Sequence, residues 1–115
     1  MAKRNSLHTV SGGGTRSEKA PPYNLLTFDG VRRTALRFGL GAEKHGADNW
    51  KRSCETEPHA FAWCVEAFNH MQEHARKMVL GLEPEDDHIG AIGWAVEILA
   101  YCEQKYGKRW TELKH

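Results

Sequence analysis

Beyond residue 28 the hydrophobic positions recur at intervals of three and four, the repeat of a helix face, and no stretch alternates convincingly as a half-buried strand would. The first predicted helix runs from about Asp29, which can cap it, to His45. Val31, Ala35, Phe38 and Ala42 share one face, with Arg33, Arg37 and Lys44 largely off it. Gly46 is a natural stop, and "GADNW" reads as a turn. The second helix runs from about Glu57 to Leu80, with Thr56 as N-cap and Pro58 in its first turn. Ala60, Cys64, Ala67, Met71, His74 and Met78 form one seam; Phe61, Val65, Phe68, Ala75 and Val79 form another. A helix with two apolar seams packs against more than one neighbour. Between them lies a narrow polar stripe of Glu66, His70, Glu73 and Lys77. The third helix runs from about Asp87 to Lys105, with Asp86 or Asp87 as N-cap. It is apolar almost all round from Ile89 to Cys102, as a central or interfacial helix must be. A short last turn is expected in "KYGKRWTELKH".

The fold class that follows is all-α: a three-helix core of a small bundle. Three helices in so small a chain leave apolar surface over, so completion by homo-oligomerisation is expected. Residues 1–22, with "SGGGTRSEKAPP" in their midst, predict a flexible basic tail, and residues 23–115 a single helical domain.

Charge narrows the partners. The formal net charge of the 115-residue chain is +1, which supplies no global field toward nucleic acid or a membrane surface. Neither partner is expected. The 3 cysteines form no CxxC pair and are odd in number, which favours buried free thiols over disulfides or a zinc knuckle. No apolar run approaches the ~18 residues of a membrane span, and no signal peptide is evident. A cytoplasmic protein is expected.

Four groups of residues carry potential chemistry. Glu83, Glu85, Asp86, Asp87 and His88 crowd the start of the third helix. They read either as caps for its free N–H groups or as ligands of a divalent cation. Asp86, Gly90, Gly93 and Glu97 form a stripe in which the two glycines require a close approach by a helix or a ligand. Glu97, alone in an apolar stretch, needs a partner, a metal or a solvated edge. Glu66, His70 and Glu73 at helical spacing can ligate a metal or position a water, or be an ordinary solvated face. Lys44, His45, Asn49 and Trp50, at and beyond a helix end, suit phosphate contact, base-edge bonding and base stacking, or simply form an anchored turn. No Walker A, GxGxxG, HExxH or nucleophile elbow is present.

Two stretches together, with a third ahead of them, carry a resemblance. "VRRTALRFGLGAEKHGADNW" resembles the pattern "LRRLAE…GAxKYGxxNW" of a phage-rich family, the dATP/dGTP diphosphohydrolase N-terminal-like proteins. "AFNHM" followed by "LGLEPEDDHIGAIGWA" resembles that family's "A-x-R-H-L" and "D-H-L-x-x-x-x-W-N". "PPYNLLTFDGVRR" resembles its "RYDLISPEGLRR". The positions that match are Gly41, Ala42, Lys44, Gly46, Asn49, Trp50, His70, Asp87, His88 and Trp94. His45, Asn69 and Ala95 stand where the family has Tyr, Arg and Asn.

The family is similar to the all-α MazG-like nucleotide pyrophosphohydrolases. The resemblance implies a helical, oligomeric, Mg²⁺-dependent enzyme, with Mn²⁺ as a substitute, that cleaves a nucleoside triphosphate to monophosphate and pyrophosphate. A nucleotide or nucleotide-derived partner follows, and a host cytoplasm if the gene is phage-borne. On this view Glu66, His70 and Asp87 are the catalytic candidates. Lys44, Asn49, Trp50, His88 and Trp94 are the nucleotide-binding candidates, and Glu73, Asp86 and Glu97 the metal ligands. A binder that sequesters a nucleotide without cleaving it, and an oligomeric helical adaptor, remain the other readings.

Overall fold

The computed structural model of the protein describes residues 7–9, 15–17 and 19–115. Helix α1 spans Asp29–His45, α2 Glu57–Leu80 and α3 His88–Tyr106. Short 3-10 turns cover Tyr23–Leu25, Asn49–Cys54 and Trp110–Glu112. The fold is all-α around these three helices. Ahead of them, β1 (Leu7–Thr9) and β2 (Thr15–Ser17) pair antiparallel, with Leu7 opposite Ser17 and Thr9 opposite Thr15. Strands of three residues are too short for an alternating pattern to register, so the sequence did not predict them. The rest of the expected tail up to residue 18 lies outside the described residues.

The helix ends follow local chemistry. Thr56 caps α2 by accepting the His59 N–H, and Pro58 occupies the first turn, where its missing donor costs nothing. Asp87 caps α3 by accepting the Gly90 N–H at 3.1 Å. Gly81 (φ 70°) and Gly107 (φ 67°) close α2 and α3 in the left-handed conformation that glycine tolerates best. At α1 the expectation shifts by one residue. Phe28 holds the cap position with φ 66° and makes no side-chain cap bond, which leaves Asp29 inside the first turn beside the positive helix end.

Helix α3 packs against both α1 and α2, the central place its apolar surface requires. Its contact with α2 is a seam of small residues. Ala60, Cys64 and Ala67 of α2 and Ala91, Ala95, Ile98 and Cys102 of α3 are all fully buried. Spacings of three and four keep each set on one face, and small side chains let the two backbones come close. Leu113, behind the last 3-10 turn, closes one end of this core against Cys54, Cys64 and Cys102.

The contact of α3 with α1 explains its two glycines. A Cβ on Gly90 would stand 2.9 Å from the Arg33 carbonyl oxygen and 2.5 Å from Asp87 Oδ2, and one on Gly93 would collide with Thr34. The neighbour that the glycines admit is therefore a helix. Helix α1 itself buries no residue fully, and Val31, Leu36 and Leu40 remain exposed on it.

All three thiols are buried and free, with Cys54 and Cys102 Sγ atoms 3.4 Å apart. Burial pushes the Cys54 thiol up to about 12 and raises Cys64 as well. The thiolate is the reactive form. An aromatic disulfide reagent at neutral pH should therefore react with none of the thiols in the folded protein and with all of them after denaturation. Rapid labelling of the native chain would contradict this core.

Candidate functional site

The α2–α3 seam that is apolar through its middle ends in two histidines. His74 prolongs the α2 seam beyond Ala67 and Met71, and His88 stands one turn ahead of Ala91 on α3. Both are buried, at 4% and 7% exposure. Their Nδ1 atoms face each other at 2.9 Å. His88 Nε2 lies 2.9 Å from the carbonyl oxygens of both Leu82 and Glu83. Only an N–H can face two carbonyls, so His88 carries its proton on Nε2. Its Nδ1 then accepts from the Nδ1–H of His74. The connection that supplies these carbonyls is held in place. Glu83 adopts φ 46°, uncommon for a residue with a side chain, and its carboxylate pairs with Lys77.

Helix α1 adds two arginines one turn apart. Arg33 Nε donates to Asp87 Oδ1 at 3.0 Å, and Arg37 Nη1 donates to Asp86 Oδ1 at 2.9 Å. The guanidinium partners are the main reason both carboxyls titrate below the usual aspartate range. Both pairs are part-exposed and screened by solvent, so they add little to stability; their weight is in register, tying α1 to the start of α3. Asp86 Oδ2 points back toward His74 Nδ1, 3.9 Å away.

Beside this cluster a cleft of about 510 Å³ is lined by Arg37, Leu40, Gly41, Lys44, His45, Trp63, His70 and Trp94. A smaller chamber of about 120 Å³ shares Gly41, His45, Trp63 and Trp94 with it, and adds Asn49 and Trp50. Nothing lies within 4 Å of where a Gly41 Cβ would be, so this glycine leaves space in the cleft. The rings of His70 and Trp94 meet edge to face at 5.2 Å, and those of His70 and His74 at 4.5 Å. Desolvation, then the Arg37 charge, lowers the His70 pKa; desolvation, then His70, lowers that of His74. Both favour the neutral imidazole. The Trp63 indole N–H is the one buried side-chain polar atom without a partner among the described residues.

His70, Asp86, Asp87, His88 and Trp94 thus gather at one end of the bundle, with Lys44 on the cleft wall and Asn49 and Trp50 in the adjoining chamber. Three expected residues stay apart. Glu66 is exposed and makes no ion pair among the described residues. Glu73 turns to Arg76, 2.6 Å away. Glu97 is exposed on a separate cleft of about 480 Å³ with Val31, Thr34, Trp50 and Lys51. Among the described residues the metal-capable group consists of His74, Asp86 and His88, whose donor atoms lie within 4.8 Å of one another. Neither Glu73 nor Glu97 belongs to it.

A carboxylate-held Mg²⁺ does not fit this arrangement. Mg²⁺ takes oxygen ligands, whereas two of the three converging donors are imidazole nitrogens, and Asp87, outside that group, is engaged by Arg33.

Pattern alone does not single out Arg33, Arg37, Trp63 or His74. His74 falls on the α2 seam as one more position, although a histidine in a row of alanine, cysteine and methionine is itself a signal. Arg33 and Arg37 share a helix face one turn apart, but their partners lie 54 and 49 residues away.

The family model described as dATP/dGTP diphosphohydrolase, N-terminal, matches residues 10–112. No curated protein and no solved structure matches the chain.

Proposed function

Since the chain belongs to the dATP/dGTP diphosphohydrolase N-terminal family, we propose that it binds a purine deoxynucleoside triphosphate in the α1–α2–α3 cleft and cleaves it to the monophosphate and pyrophosphate. One observation carries this reading: Arg37, Lys44 and His70 face the same cleft as Trp63 and Trp94. Cations suit phosphate oxygens, indole faces suit a base, and the volume falls within the roughly 300–1,000 Å³ of small-molecule sites.

In the proposed reaction, Arg37 and Lys44 offset the phosphate charge and fix the chain in line for attack. Water adds to the α-phosphorus while the bond to the bridging oxygen breaks, and pyrophosphate leaves. His70 accepts the proton of the attacking water. Asp87 and His88 act indirectly, Asp87 by holding Arg33 and His88 by holding His74. Mg²⁺ accompanies the triphosphate as part of the substrate. A second copy of the chain would cover the exposed apolar residues of α1.

The second reading, binding without cleavage, also has support. Asp86 and Asp87 are both engaged by arginines, and Asn69 and Ala95 replace the family's Arg and Asn. Titration of the full chain with each dNTP and NTP, followed by tryptophan fluorescence, tests the property common to both. Saturable quenching by dATP and dGTP, weaker with pyrimidines, is expected. No response across the panel would remove both readings.

A further inference from the structure

We propose that His74, Asp86 and His88 form a site for an imidazole-binding first-row dication, zinc above all, distinct from any Mg²⁺ carried by a nucleotide. The inference does not rest on the proposed catalysis. Three donors converge within 4.8 Å, and two of them are buried imidazole nitrogens. With metal–nitrogen bonds of about 2.0–2.1 Å, ligands at right angles stand about 3.0 Å apart and tetrahedral ones about 3.4 Å. The two Nδ1 atoms are 2.9 Å apart. Asp86 Oδ2, 3.9 Å from His74 Nδ1, needs only a small rotation to close the set.

The surroundings orient these ligands. A ligating histidine typically gives its other N–H to a carbonyl or carboxylate, which fixes its tautomer. His88 does so twice, to Leu82 and Glu83, so its Nδ1 lone pair points into the site. The left-handed backbone at Glu83 and the Lys77–Glu83 pair hold those carbonyls there. Arg37 takes the other oxygen of Asp86 and leaves Oδ2 for the ion. His74 donates from Nδ1 in the metal-free protein, and binding an ion requires the Nε2–H tautomer. Two nitrogens and one oxygen select an imidazole-binding ion such as zinc over Mg²⁺, and three protein ligands leave positions for water or a phosphate oxygen.

The test uses the full chain stripped with a chelator, without nucleotide, titrated calorimetrically with Zn²⁺, Mn²⁺ and Mg²⁺ separately. One transition ion per chain, a raised melting temperature and no comparable Mg²⁺ uptake are expected. Two variants separate this site from surface histidines. Asp86→Asn removes the oxygen anion and should weaken binding at least about tenfold. His74→Asn places an amide N–H where Nδ1–H lies, keeping the bond to His88 while removing the ligand. It should melt near the wild type and lose the ion. No transition-ion uptake by the wild-type chain, or uptake unchanged in folded His74→Asn, overturns the proposal.

Discussion

Gly90→Ala is expected to lower stability by about 2 kcal/mol, even though alanine is the better helix former by about 1 kcal/mol. Two effects oppose each other at this position. The new methyl would stand 2.9 Å from the Arg33 carbonyl oxygen and 2.5 Å from Asp87 Oδ2. One of these is backbone of α1 and the other is the α3 cap, so neither yields without moving a helix or breaking Asp87 away from Arg33. Overpacking of this kind costs about 1–3 kcal/mol, and the loosened cap adds roughly another 1 kcal/mol. The strain therefore outweighs the propensity gain. For a domain of this size the melting temperature should fall by roughly 8–15 °C. Gly39 on α1 is the control. It has open space around it, and Gly39→Ala should raise stability by about 0.5–1 kcal/mol. Thermal melts of the two variants check this directly. Equal gains in both would mean that α1 and α3 are not in close contact at Gly90.

Gly41→Leu is expected to do the reverse: leave the fold intact and empty the cleft of ligand. Gly41 lies on α1 and lines both the main cleft and the smaller chamber. A Cβ there meets nothing, so the substitution strains no neighbour, and leucine is the better helix former. Its side chain would project between Lys44 and the indoles of Trp63 and Trp94, where the nucleotide is proposed to lie. Affinity for dATP and dGTP should drop by at least about a hundredfold, the effect of roughly 3 kcal/mol. The melting temperature should stay level or rise. Fluorescence titration and a thermal melt on the same preparation separate the two effects. Undiminished binding would place the nucleotide elsewhere.

These contrasts show which parts of the molecule pattern alone reveals. The ends of α2 and α3 were legible because Thr56, Gly81 and Asp87 act locally, through bonds within one turn. The start of α1 was less so, since Phe28 takes a left-handed conformation that nothing in its side chain requests. Gly90 and Gly93 announced a close approach but not its nature, because a helix and a ligand demand the same absence of Cβ. Asp87, His88 and Trp94 were singled out only through the resemblance to a family motif. Arg33 and Arg37 were not, as their value comes from the α1–α3 register, a tertiary property. His74 followed the seam's periodicity so well that its chemistry was hidden by its position. Glu73 drew attention as a carboxylate on a histidine face, yet Arg76, three residues on, satisfies it.

Under the proposed function, the cleft between α1 and the α2–α3 pair holds and cleaves a purine deoxynucleoside triphosphate. The most direct measurement is phosphorus NMR of dGTP and Mg²⁺ incubated with the wild-type chain and with Gly41→Leu. Equal amounts of dGMP and pyrophosphate are expected from the wild type and neither from the folded variant. Intact dGTP in both samples, or the same products at the same rate from both, would contradict it.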